Sequence, residues 1–246
     1  MITKIKAEII YNNNFQMEDV LSKLEKFLFS LVSDEYKMIL NTYELKPYSC
    51  NFQKDGGKYF WIINTLTKEA RDYIALPFIK NDKDSNFIEY NNEIIKIKDI
   101  EVVQTTYDSL ISKNYLTKEK NNYITINFKT PTAFKSYGQY IFYPDISLIY
   151  KSIIRKYNEF SRDYEIDDEE VLNFIVENTK VIDYKLKSTR FHLSGNKIPS
   201  FVGNIRIKIL GPETNKNLIN LLLNFGEYSG VGIKTALGMG AIEIKY

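Results

Sequence analysis

One order of segments (strand, helix, strand, strand, helix, strand) runs through the chain twice and leaves few folds open to it. Ile2 to Tyr11 alternates apolar and polar residues, the two-residue period of a strand. Asn12 to Asn14 predicts a turn. Val20, Leu21, Leu24, Phe27, Leu28, Leu31 and Val32 recur at helical spacing, so Met17 to Val32 is expected to be an amphipathic helix. A short second helix is expected over Asp34 to Leu40. Lys46 to Gln53 and Tyr59 to Asn64 read as strands joined at Asp55-Gly56-Gly57-Lys58. Thr67 to Phe78 reads as a helix, and Phe87 to Tyr90 and Ile94 to Val103 as strands around Asn91-Asn92.

Tyr107 to Asn122 is polar, with the weakest periodicity, and reads as a connection. Tyr123 to Phe128 then predicts a strand, and Ser147 to Phe160 a helix with Leu148, Ile149, Ile153 and Ile154 inward. Asp167-Asp168-Glu169-Glu170 suits the start of a helix running to Val176, where carboxylates meet the positive end of the dipole; a metal site would need them converging on one centre. Lys180 to Leu193 and Pro199 to Leu210 form a long hairpin, Leu218 to Phe225 the last helix and Ala241 to Ile244 the last strand. The expected fold class is α+β, two tandem ferredoxin-like (RRM-like) βαββαβ domains at 1–106 and 123–246, joined by 107–122.

Five of the chain's 11 glycines lie between Gly226 and Tyr246. Four form two Gly-X-Gly pairs, Gly230/Gly232 and Gly238/Gly240, around Ile-Lys-Thr-Ala-Leu. Amides in such a loop can converge on an anion, and Lys234 and Thr235 supply a cation and a hydroxyl between the pairs. Ser229 stands at the loop's entrance. There is no Gly-x4-Gly-Lys-Ser/Thr, and no βαβ unit follows the glycines, so neither familiar nucleotide loop is present. A lone Gly-X-Gly reads as a tight helix-to-strand turn; two pairs flanking Lys-Thr favour a phosphate.

This spacing at the C-terminal end resembles the glycine-rich signature of the CRISPR-associated endoribonucleases that cut precursor CRISPR RNA. Thr130-Pro131-Thr132-Ala133-Phe134-Lys135, with Pro144 and the helix through Ile154, Arg155 and Tyr157, resembles the opening of that family's second domain. Ile198-Pro199-Ser200-Phe201-Val202-Gly203 resembles the strand before its last helix, and Lys46-Pro47-Tyr48-Ser49 the segment after its catalytic histidine. The resemblance implies binding of CRISPR repeat RNA between the two domains and a cut by 2′-hydroxyl attack that uses no metal and no cofactor. It admits an RNA-guided effector complex and a homodimer as further partners.

A net charge of +2 and a pI of about 8.3 mean that charge for RNA must be placed locally. The cations are nearly all lysine; only Arg71, Arg155, Arg162, Arg190 and Arg206 offer the planar fork that reads base edges. The hairpin carries Arg190 and His192 on one strand and Arg206 and Lys208 on the other, with Tyr184 in the same row, so it reads either as a solvated face or as an RNA-facing one. One cysteine, Cys50, excludes an internal disulfide or a cysteine zinc site. No signal peptide or membrane-length apolar run is evident, so a cytoplasmic setting without membrane contact is expected.

Metal-free RNA cleavage needs a base, an acid and a cation for the phosphorane, and histidine suits the proton transfers. The resemblance puts that histidine where this chain has Asn41, which has no proton to exchange near neutrality. It puts the catalytic lysine at Lys46, with Tyr43 or Tyr36 orienting the nucleophile. The single histidine, His192, reads as a surface strand residue in preference to a catalyst. Asn41 fits an engineered trap, a natural slow cleaver or a non-cleaving repeat-RNA subunit. A ferredoxin-like module binding a small anion is a further reading, which leaves the basic hairpin without a task.

Overall fold

The computed structural model describes residues 1–11, 17–81, 87–90, 93–115, 122–161, 165–166, 168–193 and 195–246. The turns expected at Asn12–Asn14 and Asn91–Asn92, and Asp167 of the acidic run, lie outside the described residues. The chain divides into two compact units, Met1–Gln104 with Ala236–Gly238, and Thr105–Thr235 with Met239–Tyr246.

The first unit holds strand β1 (Ile2–Ile10), helices α1 (Met17–Ser30) and α2 (Asp34–Thr42), and strands β2 (Tyr48–Asp55) and β3 (Lys58–Thr65). A helical run follows: α3 (Lys68–Ala70), a wider π turn at Arg71–Ala75, and α4 (Leu76–Lys80). Strands β4 (Phe87–Tyr90) and β5 (Glu93–Thr105) complete it. The sheet order is β2-β3-β1-β5-β4. Its first four strands have the ferredoxin order, and β4 is an added edge. β1 alternates because one face is buried: Ile5 stands opposite Ile63 and Ala7 opposite Trp61. Phe78 meets the Trp61 ring edge-on at 5.3 Å, which fixes the α4 side of that core. The π turn has a local cause. Pro77 has no N–H and its ring crowds the carbonyl four residues back; the widened turn, with Leu76 N–H on the Arg71 carbonyl, accommodates it.

The second unit opens with α5 (Tyr107–Tyr115), within the stretch expected to be a polar connection. Tyr107 and Leu110 are buried, and the Tyr107 ring lies 5.8 Å from Phe225. Then come β6 (Tyr123–Thr132), a small hairpin of β7 (Phe134–Ser136) and β8 (Gln139–Ile141), α6 (Ile146–Ser161) and α7 (Asp168–Glu177). The long strands β9 (Thr179–Leu193) and β10 (Asn196–Ile209), helix α8 (Glu213–Ser229) and β11 (Ile242–Lys245) finish the chain. The sheet order β11-β6-β10-β9 is the ferredoxin order again, and its pairings are antiparallel. Phe128 and Phe201 pack at 4.8 Å across β6 and β10. Phe225 is fully buried against Tyr157 at 5.3 Å, a burial that stabilises by about 2–3 kcal/mol. No helix among the described residues is long and apolar enough to cross a membrane.

Candidate RNA-binding and cleavage sites

In the first unit the candidate catalytic residues follow α2. Ser33 caps that helix by accepting the Tyr36 amide at 3.3 Å, and Asp34 and Glu35 occupy its first turn. Asn41 is exposed in the last turn, and Tyr43 is the half-buried C-cap residue. Lys46 folds back: its Nζ donates to the carbonyls of Leu40 at 2.6 Å and Tyr43 at 2.8 Å, closing the helix end where cations are favoured. The structure thus brings Tyr43 and Lys46 together at the same turn as Asn41. Tyr36 is buried and stacks on Tyr73 at 4.7 Å; its hydroxyl is buried with no hydrogen-bond partner among the described residues. Burial, and secondarily the charge of Glu69, pushes that phenol up, so it stays a neutral hydroxyl.

The glycine-rich segment follows α8. Most of its amides are spent inside the second unit. Gly230 N–H donates to the Gly226 carbonyl at 2.9 Å, Val231 to Gly240 at 2.8 Å, and Ile233 to Ala133 at 3.0 Å. Gly232 N–H reaches Ser152 Oγ at 2.8 Å, and Gly240 N–H the Pro131 carbonyl at 3.0 Å. The glycines here answer a steric demand: a Cβ on Gly232 would stand 2.2 Å from the Ala133 carbonyl oxygen, and one on Gly240 2.0 Å from that of Val231. The amides of the stretch Lys234–Ala236, by contrast, make no hydrogen bond to the protein among the described residues. Lys234 is exposed at a φ of 56°, while Thr235, Gly238 and Ser229 are buried.

Beneath this loop lies a residue the sequence reading did not single out. Lys156, 6% exposed on α6, donates to the carbonyls of Ser229 and Gly230 and to Thr235 Oγ1, each at 3.0 Å. Burial pushes its ammonium down to about 7. The signal was present: Ile149, Ile153, Lys156 and Phe160 are spaced on one helical face, and all are buried. Tyr137, fully exposed at the tip of the β7–β8 hairpin, and Tyr143, 58% exposed just beyond it, are further aromatics outside that reading.

The basic residues of the long hairpin fall into two groups. Arg190 and His192 are exposed near its tip, facing Pro199 and Lys197 across the ladder. Arg206 and Lys208 lie over the Tyr123 ring at 5.2 and 5.7 Å. Position 199, opposite Arg190, precedes Arg206 by seven residues, roughly 23 Å of strand.

Glu25 on α1 adds a second shifted group. Burial raises its carboxyl to about 7, against a lowering contact from the Cys50 thiol at 3.8 Å. Between 4.5 and about 7 the folded chain keeps a proton that the unfolded chain releases, so stability falls as pH rises through that window. Between about 7 and 10.5 the folded chain lacks a Lys156 proton that the unfolded chain keeps, so stability rises with pH. Urea unfolding is expected to show a minimum near pH 7, with limiting slopes of about 1.4 kcal/mol per pH unit. Glu25→Gln should flatten the acid limb and Lys156→Met the alkaline one; a monotonic profile contradicts the assignment whose limb is missing.

The comparisons with single proteins cover most of the chain, and the family profile covers its second half. The profile described as CRISPR-associated endoribonuclease Cas6 matches residues 126–242. A CRISPR-associated endoribonuclease Cas6 of Streptococcus thermophilus is 29% identical over 230 residues, covering 93% of this chain and 92% of that protein. One of Mycobacterium tuberculosis is 29% identical over 230 residues, covering 90% of this chain and 70% of that protein. A solved Cas6 product complex superposes with a TM-score of 0.81 at 18% identity over the whole of both chains. Thermus thermophilus Cas6 does so with a TM-score of 0.76 at 19% identity, covering 100% of this chain and 98% of that one. These structures share the fold of two ferredoxin-like units.

Proposed function

We infer that the chain belongs to the CRISPR-associated endoribonucleases, and that it binds the repeat of a precursor CRISPR RNA and cuts within it. The reaction proposed is attack of a ribose 2′-hydroxyl on the adjacent phosphate, leaving a cyclic phosphate and a 5′-hydroxyl and using no metal ion. The observation that carries this reading is the 29% identity over 230 residues with the streptococcal enzyme, which spans both units. In this proposal Lys46 exchanges one of its two carbonyl partners for a phosphate oxygen and stabilises the phosphorane. Tyr43, half-buried at the end of α2, helps orient the ribose, whereas the Tyr36 hydroxyl is too deeply buried to reach it. Lys234 and the amides beside it hold the backbone, with Arg206, Lys208, Arg190 and His192 as further contacts. Single-stranded or flanking bases can stack on exposed tyrosines such as Tyr184, 68% exposed on β9. Assembly into an RNA-guided effector complex, or as a homodimer, belongs to the same proposal.

A second reading is favoured by one residue. Asn41 offers neither acid nor base, so the chain would bind repeat RNA and leave it whole, or cut it slowly through Lys46 and positioning. Incubation with the cognate repeat RNA in EDTA separates the two. Products ending in a cyclic phosphate and a 5′-hydroxyl support cleavage. Tight binding without product supports the second reading. Cutting that appears only with added magnesium overturns the metal-free mechanism, and failure to bind the repeat overturns both readings.

A further inference from the structure

Lys156 is a lysine without a carboxylate. It is buried on α6, and no ion pair reaches it among the described residues. The charged or titratable groups on the elements it touches are Tyr150, Lys151, Arg155, Tyr157 and Glu159 on α6, Glu213, Lys216, Glu227 and Tyr228 on α8, and Lys234 in the loop. Glu227 instead accepts the Ile244 amide at 2.9 Å. What Lys156 does have is three neutral acceptors, the carbonyls of Ser229 and Gly230 and the hydroxyl of Thr235. These are the two ends of one loop. Ser229 and Gly230 end α8; Thr235 begins the short 3-10 turn that carries Lys234 at its entrance. The Gly230 carbonyl also accepts the Ser229 hydroxyl at 3.0 Å, which holds it toward the amine.

We propose that Lys156 is a positioning residue for RNA capture, whose amine ties the end of α8 to Thr235 and so holds Lys234 and its neighbours in the shape that receives a phosphate. This rests on the reading of the chain as a repeat-RNA binder. Leaving a long, flexible and strongly hydrated ammonium in a dry site costs free energy unless its donors are used. Here an ammonium has three N–H donors for three acceptors. A neutral amine has two, so deprotonation drops one tie. Burial brings that event to about pH 7. A phosphate arriving on the loop favours the protonated form, so binding and protonation support each other.

The count of donors gives the test. Affinity for the synthetic cognate repeat RNA is measured from pH 6 to pH 9 for the natural chain, Lys156→Met and Thr235→Val, with folding checked by circular dichroism. The natural chain is expected to bind about tenfold more tightly at pH 6 than at pH 9. Lys156→Met should bind at least tenfold more weakly than the natural chain at pH 6, with a flattened profile. Thr235→Val leaves two acceptors, which a neutral amine still satisfies. Its profile should therefore also flatten, near the natural chain's value at pH 9. Both variants binding with the natural affinity and profile overturn the proposal, as does an equal loss at every pH with the natural slope retained. Should Lys156→Met fail to fold, the Thr235→Val profile decides alone: flattened supports the tie, unchanged slope refutes it. A natural chain that binds no repeat RNA at any pH refutes the functional reading instead.

Discussion

Asn41→His is expected to raise the rate of repeat-RNA cleavage in EDTA by about 10²–10⁴-fold, the range that one placed general base or acid supplies. The position is ready for it. Asn41 lies in the last turn of α2 and is exposed, so an imidazole there meets no core atom. An imidazole exchanges its proton near neutrality without any shift, as a base or acid for this reaction must. Lys46 already stands beside that end, on the carbonyls of Leu40 and Tyr43. The substitution adds the proton-transfer group and leaves the cation and the hydroxyls as they are. Single-turnover rates at saturating protein are the measurement, because they separate the chemical step from binding. A variant that binds as before and cuts no faster would show that the α2 end is not the reaction centre. Loss of the gain on further changing Lys46 to Met would tie the two residues to one reaction.

The double βαββαβ order was legible because each strand or helix buries one face, and that burial imposes its period on the residues. Ile205, Ile207 and Ile209 alternate with Arg206 and Lys208 for this reason, and the structure buries the first three. Where polar side chains serve the fold, the period fades. α8 begins at Glu213, well before the apolar run at Leu218, because Asn215 donates to the Leu210 carbonyl at 3.0 Å and Asn220 to that of Lys216 at 2.7 Å. α5 was missed for a related reason: among the described side chains only Tyr107 and Leu110 of its apolar residues are buried, too few to set a helical period. The glycine pairs announced a special loop, but spacing cannot say where an amide points. Here Gly230, Val231, Gly232, Ile233 and Gly240 donate to the protein, so their backbone geometry builds the loop and Lys234 remains outside it. Lys156 escaped because a charge on an apolar face is usually an interruption, whereas here its three acceptors come from a segment more than seventy residues away.

Gly240→Ala should destabilise the second unit far more than its one added methyl group suggests. Gly240 has a φ of 72°, where an L-residue pays roughly 1–2 kcal/mol. Its Cβ would also stand 2.0 Å from the Val231 carbonyl oxygen and 3.1 Å from the Thr235 methyl. Backbone has to move by more than an ångström to clear that contact. The movement strains the bonds from Val231 N–H to the Gly240 carbonyl at 2.8 Å and from Gly240 N–H to the Pro131 carbonyl at 3.0 Å. Each buried pair is worth about 1–3 kcal/mol, so partial loss of the two together with the dihedral cost gives about 3–5 kcal/mol. For a unit of this size that is a fall in melting temperature of about 10 °C. Gly138→Ala is the matched control. Gly138 has a φ of 80° and nothing within 4 Å of the added carbon, so it tests the dihedral cost without the collision. Calorimetry on the two variants should show Gly138→Ala losing about 1–2 kcal/mol and Gly240→Ala at least twice as much. Equal losses would mean that the loop yields at Val231, and that the glycine is held there by its φ alone. Because Lys234 and Thr235 lie between the two segments that would part, Gly240→Ala should also weaken repeat-RNA binding at temperatures where the unit remains folded, and Gly138→Ala should not.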